Sequence, residues 1–69
     1  MKPNVLQTAV NFDKAYAAWQ RARNATIEAI AAEPFDQAYF NRCRNIQERL
    51  RIPVYQLSEK LYQIRNAQS

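Results

Sequence analysis

Apolar residues recur along this chain at alternating steps of three and four, the spacing of one face of an α-helix. From Phe12 to Ala32 two such stripes run side by side. Ala15, Ala18, Ala22, Ala25, Ala29 and Ala32 form a smooth one, and Phe12, Tyr16, Trp19, Arg23, Thr26 and Ile30 form a bulky one about a quarter turn away. The apolar pattern reaches back through Ala9 to Val5, while Asp13, Gln20, Arg21, Asn24 and Glu28 occupy the opposite, solvated side. Alanine is the strongest helix former. The pattern predicts one helix over about residues 4–32, started by Pro3 or Asn4 and roughly 40 Å long at 1.5 Å per residue.

Glu33-Pro34-Phe35-Asp36 interrupts the rhythm. Pro34 disfavours helix at Glu33, and Asp36 can cap the element that follows. A second apolar series then runs through Tyr39, Cys43, Ile46, Leu50, Val54, Leu57, Leu61 and Ile64. Pro53 falls inside it, removing an N–H and crowding the carbonyl of Arg49. The rhythm survives across the proline, which predicts a helix over about residues 36–66, kinked or briefly broken at Pro53, with Asn66–Ser69 fraying. So short a connection makes the helices antiparallel neighbours. Folding at residues 34–35 pairs Ile30 with Tyr39, Thr26 with Cys43, Trp19 with Leu50, Tyr16 with Pro53 and Val54, Phe12 with Leu57, and Val5 with Ile64. The bulky stripe thereby finds an apolar counterpart, and Arg23 is its one charged member.

The chain has 69 residues, which allows a single helical-hairpin domain over 1–69 and only a small core. Cys43 is the only cysteine and histidine is absent, so neither a disulfide nor a metal site is expected to staple the fold. Association remains. If the aromatic stripe is spent within the hairpin, Ala15, Ala18, Ala22, Ala25 and Ala29 are left to meet a second copy at close range, giving a dimeric four-helix arrangement. Glycine is also absent, which excludes a phosphate-cradling loop and argues against a sheet. Neither a signal peptide nor a membrane span is apparent, and a lone buried Cys fits the cytoplasm. Asn24-Ala25-Thr26 matches a glycosylation sequon but lies mid-helix.

No residue pattern names a reaction. Without histidine the commonest general base is missing, Cys43 has no imidazole to activate it, and the carboxylates are scattered. The expectation is a protein that is not an enzyme and needs no cofactor. Phe40, Arg44, Arg51, Tyr55, Tyr62 and Arg65 project to one side of the second helix, and Arg and Tyr dominate binding hot spots. Arg42 and Arg49 lie elsewhere. Such a face suits a module that occludes a surface of another protein. It also suits a small dimeric DNA- or RNA-binding regulator, in keeping with the net charge of +4, or a plain oligomerisation element. ERLRIPVYQLSEKL lacks the small residue and Gly turn of a helix-turn-helix.

With AYAAWQRARNATIEAIAA and QAYFNRCRNIQERLRIPVYQLSEKLYQIR joined by EPFD, the whole chain resembles the small helical proteins that phages encode to disable host proteins, in particular quorum-sensing anti-activators. The resemblance implies a dimer that inhibits a LuxR-type transcriptional activator by keeping it from DNA. It also implies a second target, the ATPase that drives type IV pilus assembly.

Overall fold

A computed structural model describes residues 5–68 of the chain. Helix α1 spans Val5–Ala31 and helix α2 spans Gln37–Gln68. They lie side by side as an antiparallel hairpin, a rod of 52 × 19 × 14 Å. The expected all-α architecture holds, and the end of α1 and both ends of α2 fall within a residue or two of the expected 32, 36 and 66. The expected start at Pro3–Asn4 lies outside the described residues. At the other end, Asn66 and Ala67, which were expected to fray, are helical.

Local chemistry accounts for the junction. Asp36 caps α2: its Oδ1 accepts the Tyr39 N–H at 3.1 Å and its carbonyl accepts the Phe40 N–H at 3.0 Å. Phe35, just outside the cap, packs on Phe40 with ring centroids 5.8 Å apart, a hydrophobic staple that sets the entry angle of the chain. At the end of α1 the Ala32 N–H reaches the Ala29 carbonyl at 3.4 Å, and the Glu33–Pro34 peptide is cis. Asp36→Ala is expected to lower stability by about 1 kcal/mol, read as a reduced urea midpoint with an unchanged slope.

Helix α2 runs through Pro53 without a break. Leu50, Val54 and Leu57 are half-buried on both sides of the proline, so packing against α1 holds the helix where local chemistry weakens it.

The seam between the helices follows the line where the two stripes of α1 meet. Thr8, Phe12, Ala15, Trp19, Ala22, Thr26 and Ala29 turn inward, against Phe40, Cys43, Gln47, Leu50, Val54, Leu57, Leu61 and Ile64 of α2. Both series keep steps of three and four, the seven-residue repeat of two helices packed along their length. The bulky stripe therefore does not close on α2 as a whole. Phe12, Trp19 and Thr26 face in, whereas Tyr16, Arg23 and Ile30 are exposed. In α2, Phe40 and Gln47 take the inward places expected of Tyr39 and Ile46, both of which are exposed. The reason is geometric: each stripe is wider than one seam row, and alternating a large with a small side chain lets the axes approach.

The same geometry takes up part of the stripe expected to meet a second copy. Ala29 is 3% exposed within a single chain, and Ala15 and Ala22 share its inward row. Ala18 and Ala25 are half-buried at the edge of the seam. The smooth stripe thus serves the hairpin first. Thr26 fits among these residues because its hydroxyl donates to the Ala22 carbonyl at 2.9 Å.

Candidate functional site

On one flank of the seam, α1 stacks a row of aromatic rings. Phe12 and Tyr16 are 5.9 Å apart between centroids, Tyr16 and Trp19 are 5.8 Å apart, and the Arg23 guanidinium sits 5.9 Å from the centre of the Trp19 ring. On α2 the Arg51 guanidinium lies 5.3 Å from the Tyr55 ring and 3.7 Å from the Glu48 carboxylate. One turn of helix separates the members of each pair, so these contacts follow from sequence spacing alone.

The two rows meet at a shallow groove of about 400 Å³ lined by Tyr16, Trp19, Arg51, Val54 and Tyr55. A second depression of about 610 Å³ continues along α2 between Glu48, Arg49, Arg51, Ile52, Tyr55 and Gln56. Arg51 and Tyr55 belong to both and form the centre of the surface. The groove also bears on register: Tyr16 lies beside Val54, as folding at residues 34–35 requires, and Trp19 faces the same turn of α2.

Of the residues proposed for partner binding, Arg44, Arg51, Tyr55, Tyr62 and Arg65 are exposed. Tyr55 and Tyr62 are 65% and 63% exposed and lie seven residues apart, on one side of α2. Phe40 is different: half-buried in the seam and packed on Phe35, it holds the hairpin together. Arg49, which sequence reasoning set aside, lines the second depression. Tyr16, Trp19 and Arg23 do not stand out in the sequence, because the spacing of the bulky stripe alone reads as core throughout. Arg23 was the signal, since a cation in an otherwise apolar row marks an edge.

Trp19 carries a polar oddity. Its Nε1 is buried with no hydrogen-bond partner among the described residues, and such a donor forfeits roughly 1–3 kcal/mol of hydration. Trp19→Phe removes that donor and keeps most of the ring. It is expected to change stability by less than about 1 kcal/mol, against about 3 kcal/mol or more for Trp19→Ala. Chemical denaturation of both variants measures the difference.

On the opposite flank the Cys43 thiol against the Tyr39 hydroxyl, followed by desolvation and the Glu28 carboxylate, raises the Tyr39 pKa above its ordinary 10.0. The folded chain then holds that proton more tightly than the unfolded one. Any stability this contributes is complete below pH 10.0 and lost only as the phenol ionises above it. At neutral pH Tyr39 is an uncharged phenol.

These features define an antiparallel two-helix module whose groove is centred on the Arg51 guanidinium and the Tyr55 ring. Neither described helix is long and apolar enough to cross a membrane. The chain matches no protein-family model, no curated protein and no solved structure.

Proposed function

We propose that this protein acts by stoichiometric, non-catalytic binding to another protein, using the face centred on Arg51 and Tyr55 to occlude a functional surface of its partner. One observation carries the reading. Tyr55 and Tyr62, the residues most at home in a buried hot spot, stand largely in water on a rigid helix, with Arg51 oriented beside Tyr55. A tyrosine so held loses little conformational freedom on binding, and Arg51 adds planar, directional hydrogen bonding. The single chain also buries little: Thr8, Ala29 and Cys43 are the only buried positions among the described residues, and none of them is fully enclosed.

The resemblance to phage anti-activators makes a LuxR-type transcriptional activator, in a bacterial host's cytoplasm, the first partner to test, and the type IV pilus assembly ATPase the second. A homodimer fits the same reading. The alanine stripe's outer row, Ala18 and Ala25, is half-buried, and Ile46 on the same flank is exposed, which leaves small and apolar surface for a second copy. The arginine content of the Arg51 flank favours one alternative, a small nucleic-acid-binding regulator.

Titrating the protein into a preformed activator–DNA complex distinguishes these readings. Release of DNA at a fixed molar ratio, with the activator captured by this protein, is the expected result. A mobility shift of DNA or RNA by this protein alone, weakening steeply with salt, supports the alternative instead.

A further inference from the structure

The two flanks of the helix seam differ in kind. On one, α1 brings Tyr16, Arg23 and Ile30, and α2 brings Arg44, Arg51 and Arg65, all at multiples of seven residues within their helix. Two helices that need only each other place opposite charges across these positions. Here both contribute arginine, and neither row contains a carboxylate. The ion pair of Arg51 with Glu48 lies within α2, between side chains 54% and 57% exposed, and adds little to folding. The flank therefore carries an excess of positive charge that the two rows do not balance within the hairpin.

We propose that this flank seats an acidic amphipathic helix of the partner protein, laid in the groove between α1 and α2. The partner's carboxylates meet the arginines, and its apolar residues rest on Tyr16, Ile30 and Tyr55. The proposal rests on the protein-binding reading above and names the chemistry of its partner. Charge complementarity is the first argument. Spacing is the second: Arg44 and Arg51 stand about 10.5 Å apart along α2, two turns of helix, so carboxylates seven residues apart on a docked helix fall into step with them. The apolar content is the third. Exposed Ile30 shares a row with Arg23, and a phosphate backbone has no use for it, whereas the apolar stripe of a helix does. The opposite edge, with Ala18, Ala25 and Ile46, carries charge of both signs, since Glu28 and Arg42 both act on Tyr39 there.

Trp19 lines the groove and is the only tryptophan, so its fluorescence reports occupancy directly. The test uses the full chain and three probes. One is a helical peptide about three heptads long with leucine on its apolar stripe and glutamate beside it; another has lysine in place of each glutamate; the last is a single-stranded RNA. The glutamate peptide is expected to saturate the Trp19 signal in the micromolar range, and the lysine peptide is not. Arg51→Glu should weaken binding about tenfold or more, while Arg42→Glu, on another side of α2, leaves it unchanged. Circular dichroism confirms that both variants keep their helicity. Equal binding of the two peptides, indifference to Arg51→Glu, or tighter binding of the RNA overturns the proposal. The intact partner separates the two levels of the claim. Capture of an activator that the glutamate peptide cannot displace removes the acidic-helix proposal and leaves protein binding standing. Failure of both the peptide and the activator to bind removes the protein-binding reading and the proposal together.

Discussion

Ala29→Glu is expected to abolish folding of the hairpin. Ala29 is the least exposed apolar side chain among the described residues, at 3%, and sits in the inward row where α1 makes room for α2. Glutamate there must be buried as a charge without a partner or must force the helices apart. The first loses several kcal/mol and the second roughly 1–3 kcal/mol. A domain of this size holds only about 3–10 kcal/mol in all, at roughly 0.05–0.15 kcal/mol per residue. Circular dichroism and thermal melting should show a largely unfolded chain. Ala38→Glu is the control: exposed in the first turn of α2, it places a carboxylate near a helix N-terminus and is expected to be neutral or mildly stabilising. A folded Ala29→Glu monomer that had lost only self-association would return that alanine to an interface between copies and sink the seam described here.

Tyr55→Ala is expected to weaken partner binding by about 2 kcal/mol, roughly thirtyfold, while leaving the melting temperature within error. The ring lines both depressions and packs against the Arg51 guanidinium, so truncation removes contact area and leaves that guanidinium without its support. Stability is spared because the side chain is 65% exposed and outside the seam. Calorimetric titration of wild type, Tyr55→Ala and Tyr39→Ala against the captured partner reads the effect. Tyr39 is also exposed but lies beside Cys43, on the other edge, and its removal should leave affinity unchanged. Equal losses from both tyrosines would mean that binding is not localised to the Arg51 flank.

The candidate surface was half legible. Arg44, Arg51, Tyr55, Tyr62 and Arg65 stand out because spacing within one helix places them without reference to anything else. The contribution of α1 did not, because the row of Tyr16 and Arg23 cannot be called core or rim until its neighbour's position is known. Phe40 erred the other way, since a staple at the start of α2 and a binding aromatic look alike in a list of residues.

Residue order alone determined the two helices, their junction at Pro34–Asp36 and their antiparallel pairing. Helix propensity, the Asp36 cap and a short connection all act over a few residues, and no distant contact competes with them. Tertiary structure alone decided which rows face inward and carried α2 unbroken past Pro53. Two adjoining stripes on α1 could each supply an inner face. Only packing against α2, with large side chains set against small ones, selected the line between them and turned Tyr16, Arg23 and Ile30 out into water.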